Sequence, residues 1–245
     1  MRPDTLAIMH CYKPYSQLNE NEHAAVEQAK RVFPHLTFIA PHNMDMSGYG
    51  PSVIRLPDQF FTYAGYSVLC KSPQFYQLFL DLGFKYLLIT QYDVWIFEDR
   101  VDYFLDLFDR EGYDYIGAPW YGVHFCRDGV VGNGGYCIRR LEKFRDICAK
   151  YGNQGGNEDV VFLRHRGEIK IAPEKLALEW SFEEKPAYAY GLTGGVLPTG
   201  THAYASTPDR IGFWRHFIPD IKEIKAKVGN PFTYSNPKHK IGEND

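Results

Sequence analysis

The N-terminal half of the chain alternates short apolar runs with amphipathic segments. Apolar runs that predict buried strands lie at residues 6–9, 36–40, 52–56 and 84–90. The periodicity of residues 18–32 predicts a helix with Asn19 or Asn21 as its N-cap, and Ser72 followed by Pro73 predicts the start of a second helix. Strands and helices that alternate in this way are typical of an α/β fold with a parallel sheet.

The second half of the chain has a different pattern, with shorter strands between its helices. Predicted strands lie at residues 113–117, 136–139 and 168–172, and predicted helices at 101–108, 141–150 and 159–166. From Gly167 onward the pattern is otherwise irregular. Residues 230–245 are rich in Asn, Pro, Gly and Lys, so we expect a mobile or surface-wrapping tail after a single domain that spans residues 1–229.

Composition and charge narrow the functional classes. The formal net charge is −3 and the Lys and Arg residues are scattered, so the chain lacks the basic surface expected of a nucleic-acid-binding protein. The five cysteines are irregularly spaced, without a Cys-x-x-Cys pair, which argues against a zinc site and favours reduced thiols in the cytoplasm. No apolar stretch approaches about 20 residues, and no signal-peptide h-region is present, so we expect no transmembrane helix.

A carboxylate closely follows the apolar run at 84–90. Asp93 lies just beyond this predicted strand, and the carboxyl ends of strands in open α/β sheets border the crevice where such folds bind ligands. A divalent cation that neutralises a diphosphate leaving group needs such oxygen ligands, which sugar-nucleotide transferases usually supply as an Asp-x-Asp pair. Here the pair is Gln91-Tyr92-Asp93, so one carboxylate remains, with Gln91 as a hydrogen-bonding group for a nucleoside. The alternative is an aspartate that only caps a turn or a helix.

Three later segments add candidate groups. Repeated glycines at 132–135 let the backbone approach a ligand closely, and the Asn133 side chain could bind sugar hydroxyls there. Glu158 and Asp159 open a predicted helix, where the helix dipole favours a carboxylate that acts as a base. His202 follows a run of small residues and could complete a metal shell or contact a diphosphate. The simpler interpretations are an Asn-Gly turn, ordinary acidic first-turn residues and a solvent-exposed loop histidine.

Other nucleotide and hydrolase chemistries lack their motifs. The sequence has no Gly-x-Gly-x-x-Gly after the first strand and no Gly-x-x-x-x-Gly-Lys-Ser/Thr, so neither a Rossmann dinucleotide site nor a P-loop is supported. The absence of Gly-x-Ser-x-Gly argues against an α/β-hydrolase.

Three motifs stand in a specific order along the chain. Residues 113–120 are Tyr-Asp-Tyr-Ile-Gly-Ala-Pro-Trp, residues 131–139 are Val-Gly-Asn-Gly-Gly-Tyr-Cys-Ile-Arg, and residues 157–160 are Asn-Glu-Asp-Val. This order resembles a bacterial family of glycosyltransferase-like domains that is associated with polysaccharide biosynthesis and similar in layout to Fringe and core-1 galactosyltransferases. The resemblance is dense from about residue 86 to residue 202. It implies a GT-A fold, which is a Rossmann-like mixed sheet flanked by helices in a single α/β domain.

The resemblance also implies roles on the sugar side of a site. Asp159 matches the catalytic base, and Glu158 beside it matches a residue that contacts acceptor or donor. Asn133, Gly134 and Gly135 match the turn near the donor sugar.

On the nucleotide side, the resemblance gives Asp93 the metal or diphosphate role and gives His202 the role of a C-terminal histidine that helps to hold both. Trp120 would line the acceptor side. Gln91 stands where such enzymes have a second acid, which leaves the dependence on Mn²⁺ or Mg²⁺ open. Tyr12, in the loop after the first strand, is expected to stack on a uracil ring.

These expectations combine into one function. We expect an inverting glycosyltransferase that moves a sugar from a nucleoside-diphosphate donor, most simply a UDP-sugar, to a hydroxyl of a glycan or lipid-linked acceptor. A divalent cation is the expected cofactor, and a lipid-linked acceptor implies transient contact with the inner face of the cytoplasmic membrane. One alternative is a GT-A-like module that binds a sugar nucleotide or glycan without catalysis. Another is a nucleotidyltransferase, which needs a glycine-rich basic loop where this chain offers only Lys13.

Overall fold

A computed structural model gives the fold of residues 1–223; the predicted tail at 230–245 and the domain boundary at 229 lie outside these described residues. The strands are β1 (Thr5–His10), β2 (Thr37–Pro41), β3 (Val53–Leu56), β4 (Tyr86–Thr90), β5 (Trp95–Ile96), β6 (Tyr115–Ile116), β7 (Pro119–Trp120), β8 (Val130–Val131), β9 (Cys137–Arg140), β10 (Ser181–Phe182) and β11 (Gly200–Thr201). The helices are α1 (Glu20–Val32), α2 (Tyr63–Cys70), α3 (Pro73–Asp81), α4 (Val101–Glu111), α5 (Leu141–Tyr151), α6 (Glu158–Arg164), α7 (Glu174–Trp180), α8 (Pro186–Leu192) and α9 (Pro208–Trp214).

The central sheet has six strands in the order β3-β2-β1-β4-β9-β6. Strands β1 to β4 run parallel, whereas β9 runs antiparallel to both β4 and β6. Two smaller sheets accompany it, one of β10, β11 and β5 and one of β7 and β8. This mixed sheet flanked by helices confirms the predicted α/β class.

Burial and capping explain why the first elements form where they do. Every residue of β1 and β4 is buried, as expected for parallel strands that are covered on both faces. Helix α1 begins after Asn19 because the Asn19 side chain accepts the backbone N–H of Glu22 while the Glu22 carboxylate accepts that of Asn19. The prediction of Asn19 as the N-cap is confirmed, whereas Asn21 is buried and bonds the backbone of Lys222.

The register of the central strands brings three loops to one edge of the sheet. Met9 pairs with Thr90, so the parallel strands β1 and β4 end together. Cys137 pairs with Ile89, so the antiparallel β9 begins at that same edge. The segments that follow β1, follow β4 and precede β9 therefore emerge side by side, at the carboxyl edge where α/β sheets bind ligands.

The C-terminal half differs from the prediction. The predicted strand at 168–172 forms only a single bridge, between Ile171 and Tyr115. The backbone N–H of Asp114 donates to the Lys170 carbonyl and that of Ala172 to the Tyr115 carbonyl, while the Asp114 carboxylate accepts the N–H of Lys170. Helices α7, α8 and α9 lie in a region whose pattern predicts irregular structure, and α2 has no counterpart among the predicted helices. Helices of seven or eight residues depend on tertiary packing, so local periodicity indicates them poorly. Within residues 1–223, no helix is long and apolar enough to cross a bilayer.

Candidate functional site

The small sheet brings Asp93 and His202 together beside the carboxyl end of β4. Strand β5 follows Asp93, and its antiparallel pairing with β11 sets Trp95 opposite Thr201, so His202 arrives next to Asp93. Nε2 of His202 lies 3.4 Å from Oδ1 of Asp93 and 3.2 Å from Oε1 of Gln91. The resemblance implies Asp93 and His202 as one group, and the structure brings them together; Gln91, predicted to bind a nucleoside, lies beside the same histidine nitrogen.

A fourth residue, Glu183, completes this group, which we call the histidine cluster (Gln91, Asp93, Glu183 and His202). Phe182 of β10 pairs in parallel with Thr201 of β11, so the residues that follow them are neighbours. Oε1 of Glu183 lies 2.8 Å from Nδ1 of His202, and Glu183 is buried. No motif in the sequence indicates Glu183, because its proximity to His202 depends on the pairing of two strands of two residues each.

Opposite charges stabilise one another in the histidine cluster. Burial opposes a charge on His202, but the carboxylates of Asp93 and Glu183 outweigh it and hold the His202 pKa well above its ordinary value. Partial desolvation tends to raise the pKa of Asp93, and the positive charge of His202 overcomes this effect, so the Asp93 pKa is lowered. Asp93 is therefore ionised at neutral pH, and its side chain is 46% exposed.

The glycine turn (residues 132–135) packs directly against this cluster. The turn holds its shape through the Asn133 side chain, whose Oδ1 accepts the backbone N–H of Gly135 at 3.0 Å. Asn133 is buried and its carbonyl oxygen accepts the hydroxyl of Tyr115, so Asn133 stabilises the turn itself. A Cβ atom added to Gly135 would lie 2.3 Å from Nε2 of His202, which explains why glycine occupies this position.

The acid pair (Glu158 and Asp159) lies on the other side of the same turn, at the start of α6. A Cβ added to Gly134 would lie 2.9 Å from Oε1 of Glu158 and 3.8 Å from Cβ of Asp159. Gly134 and Gly135 therefore contact the acid pair and the histidine cluster respectively. The turn thus contacts two groups of side chains that lie at least 24 residues apart in sequence from one another.

The two acids have different environments. Glu158 is 5% exposed; its Oε2 accepts the hydroxyl of Ser67 at 3.0 Å, and its Oε1 lies 3.7 Å from the fully buried guanidinium of Arg139. Asp159 is partly exposed and accepts the backbone N–H of Val160. Burial, and then the neighbouring Glu158 carboxylate, raise the pKa of Asp159 to about 7. Glu158 is thus held by protein contacts, whereas Asp159 has the pKa of a base that works near neutral pH.

Tyr12 and Trp120 have contrasting positions. Tyr12 follows β1 at the same edge of the sheet, is 40% exposed, and has its ring 5.0 Å from that of Tyr92. Trp120 is only 3% exposed, because its ring covers Gly132 and packs edge-on against Phe125. In this structure the Trp120 ring is buried beneath the glycine turn, and the role of Trp120 on the acceptor side stays a prediction.

Asp93 and His202 are the side chains in this region that could hold a divalent cation. Among residues 1–223, no group of three or more His, Cys, Asp or Glu side chains forms a metal site by itself. Mg²⁺ at phosphate-handling sites is commonly bound by one or two carboxylates, with substrate phosphates and water as the remaining ligands. An ionised carboxylate and an imidazole nitrogen at one edge of the cleft fit a cation that displaces the Nε2 proton of His202, and a diphosphate can supply further ligands to it.

Replacing Gly135 with Ala is expected to destabilise the protein. The new methyl group would overlap the His202 ring, which hydrogen bonds to Glu183 and Gln91 hold in place, so we expect a loss of about 1–3 kcal/mol in the free energy of unfolding. Thermal denaturation measures this loss as a fall of roughly 2–4 °C per kcal/mol for a chain of this size. Gly155→Ala is the matched control, because a Cβ at Gly155 meets nothing within 4 Å. Equal melting temperatures for the two variants would contradict the packing described here.

Comparison with solved structures gives the fold family. The structure is similar to the apo form of mouse xyloside xylosyltransferase 1, with a TM-score of 0.53 and 11% identity over 83% of this chain and 99% of that chain. A glycosyltransferase involved in glycosylation of the major capsid of PBCV-1 has a TM-score of 0.49 and 12% identity, over 87% and 98% of the two chains. The galactosyltransferase LgtC, in complex with donor and acceptor sugar analogs, also has 0.49 and 12%, over 80% and 86%. The likeness to the mouse enzyme identifies the fold as GT-A, as the motif order predicts.

Comparison of the sequence with curated proteins and with family models gives the family. No curated protein matches the chain. Residues 51–202 match the model described as "Protein of unknown function (DUF5672)". The matched segment includes Asp93, the glycine turn and the acid pair, and it ends at His202. Because this match covers more than half of the sequence, the chain belongs to the DUF5672 family.

Proposed function

We propose that this protein is a glycosyltransferase that moves a sugar from a nucleoside-diphosphate donor to a hydroxyl of a glycan or lipid-linked acceptor. The observation that carries the proposal is the glycine turn, which has the acid pair on one side and the histidine cluster on the other. Sugar transfer needs these two kinds of group close together: a base for the acceptor hydroxyl and positive charge for the diphosphate. The GT-A fold is compatible with this chemistry, and the mouse protein of similar fold is named a xylosyltransferase.

In this proposal, Asp159 is the catalytic base of an inverting displacement. Its carboxylate takes the proton of the acceptor hydroxyl while the hydroxyl oxygen forms a bond to the anomeric carbon. The bond between that carbon and the diphosphate oxygen breaks, and the nucleoside diphosphate leaves with the electron pair. Glu158 has the role of a positioning residue, because Ser67 and Arg139 hold its carboxylate and its charge helps to raise the pKa of Asp159.

In this proposal, the diphosphate of the donor binds at the histidine cluster. Asp93 and His202 would hold a Mn²⁺ or Mg²⁺ ion, which supplies positive charge for the leaving group when bound. The Gln91 amide oxygen lies beside the same histidine nitrogen, so it can orient either the cation or a donor hydroxyl. Tyr12, at the carboxyl end of β1, offers a half-exposed ring to the nucleobase, for which we propose uracil.

The pH dependence of transfer follows from the raised pKa of Asp159. A general base must be deprotonated, so kcat/KM is expected to fall about tenfold per pH unit below 7 and to level off above it. The measurement is kcat/KM for the acceptor between pH 5.5 and 8.5 at saturating donor. A profile that stays flat down to pH 5.5 would contradict the role of Asp159 as a base with a raised pKa.

A calorimetric titration panel tests the proposed donor. UDP, GDP, CMP and NAD are each titrated into the full chain with and without Mn²⁺. The proposal predicts that UDP binds most tightly and that its affinity falls when Mn²⁺ is omitted. Binding of NAD alone, or of none of the four, would contradict a sugar-nucleotide site.

A further inference from the structure

Two adjacent acids follow β10, and they have separate partners. Glu183 contacts Nδ1 of His202 through Oε1, whereas Glu184 forms an ion pair with Arg210. Arg210 therefore does not account for the presence of Glu183. The Glu183 side chain is 7% exposed, and its Oε2 is buried without a hydrogen-bond partner among residues 1–223.

A buried carboxylate with one unpaired oxygen does not by itself stabilise the fold. A buried polar oxygen without a hydrogen-bond partner costs free energy of desolvation, and an apolar side chain in this position would avoid that cost. The contact that Glu183 does make is its hydrogen bond with Nδ1 of His202. This contact indicates that the role of Glu183 is to hold the His202 ring.

The direction of that hydrogen bond fixes which histidine nitrogen faces the cleft. With the Glu183 carboxylate as the acceptor, Nδ1 of His202 carries a hydrogen and donates it to Oε1. Nε2 then faces two further acceptors, Oδ1 of Asp93 at 3.4 Å and Oε1 of Gln91 at 3.2 Å. A divalent cation that displaces the Nε2 proton of His202 would meet both of these oxygens, so the geometry around Nε2 suits a cation site.

We propose that Glu183 is a positioning residue that orients His202 through Nδ1, so that Nε2 is directed as a ligand toward a divalent cation shared with Asp93. This inference rests on the proposed function. Histidines that bind metals commonly donate their second ring N–H to a carboxylate, which fixes the tautomer and the ring orientation. Gly135 supports the same orientation, because its lack of a side chain leaves room for Nε2.

Mn²⁺ affinity of the full chain, without any donor or acceptor, tests this inference. Electron paramagnetic resonance of free Mn²⁺ gives the dissociation constant for wild type, Glu183→Leu, Glu183→Gln and the neighbouring Glu184→Gln. We expect Glu183→Leu to weaken Mn²⁺ binding by about 10- to 100-fold. Glu183→Gln should have a smaller effect, because its amide oxygen still accepts from Nδ1. Glu184→Gln should stay within about twofold, since Glu184 contacts Arg210.

Melting temperatures of the same variants separate orientation from unfolding. An Mn²⁺ affinity of Glu183→Leu that equals that of Glu184→Gln would overturn the inference. Wild-type protein whose Mn²⁺ binding is unaffected by Asp93→Asn would overturn both the inference and the metal role within the proposed function. Loss of Mn²⁺ affinity in Glu183→Leu, in a protein that transfers no sugar at all, would support the inference and contradict only the proposed function.

Discussion

Replacing Asp159 with Asn is expected to lower the rate of sugar transfer by about 100- to 10,000-fold while nucleotide binding persists. The amide has nearly the shape of the carboxylate but cannot take the proton of the acceptor hydroxyl. The site is otherwise intact, because the histidine cluster lies on the other side of the glycine turn. Initial rates at saturating donor, together with a UDP titration of the same variant, measure the two effects separately.

The same substitution is expected to raise the melting temperature at pH 8. The folded-state pKa of Asp159 is about 7, whereas an unfolded Asp titrates at roughly 3.9, so folding disfavours the ionised form. For a carboxyl with a raised pKa, stability is lost as pH rises between these two values, and the full penalty is present above pH 7. Asn carries no such penalty, and its advantage over Asp should shrink as the pH falls toward 4.

The control for Asp159→Asn is Asp146→Asn. Asp146 is an exposed acid on α5 that pairs with Arg145, so its loss should leave both transfer and the melting temperature close to wild type. Full transfer activity in a folded Asp159→Asn variant would reject Asp159 as the base.

Replacing Asp93 with Asn is expected to remove most of the metal-dependent part of nucleotide binding. Asp93 is the exposed carboxylate of the histidine cluster, so its loss should weaken UDP binding in the presence of Mn²⁺ by about 10- to 100-fold. UDP affinity measured without metal should change little, because the proposed contact of Tyr12 with the base is unaffected. Calorimetric titration of UDP with and without Mn²⁺ gives both numbers.

Asp81→Asn is the control for this effect. Asp81 ends α3 and accepts a hydrogen bond from Gln77 on the exposed face of that helix, so it lies in a purely structural setting. Its substitution should leave UDP binding unchanged in both conditions. An Asp93→Asn variant whose UDP affinity still depends on Mn²⁺ as in wild type would contradict the assignment of Asp93.

The sequence predicts those parts of the fold that local signals determine. The apolar run before Asp93 identifies β4, and the structure starts α6 within one residue of its predicted position. The cap at Asn19 is likewise a local pattern of side-chain and backbone groups. For the candidate site, the strand order of a GT-A fold is enough to bring Asp93 and the residues at 132–135 to one edge, which is why motif order alone predicts much of it.

The remaining parts depend on contacts between distant segments. Glu183 reaches His202 only because β10 and β11 pair in parallel, and strands of two residues leave almost no pattern in the sequence. The sequence suggests Trp120 as an exposed binding residue. In the structure its ring packs inward over Gly132, which has no side chain to exclude it. Ser67, which holds Glu158, lies on the unpredicted helix α2 and is 91 residues away in sequence.

Donor turnover shows most directly whether this protein transfers sugar from a nucleotide donor. Purified protein is incubated with a panel of UDP-, GDP- and CMP-sugars and Mn²⁺, and the released nucleotide is measured for wild type, Asp93→Asn and Asp159→Asn. We predict that wild type releases UDP from at least one UDP-sugar and that both variants lose this activity. Absence of release from every donor, or equal release by all three proteins, would contradict the account.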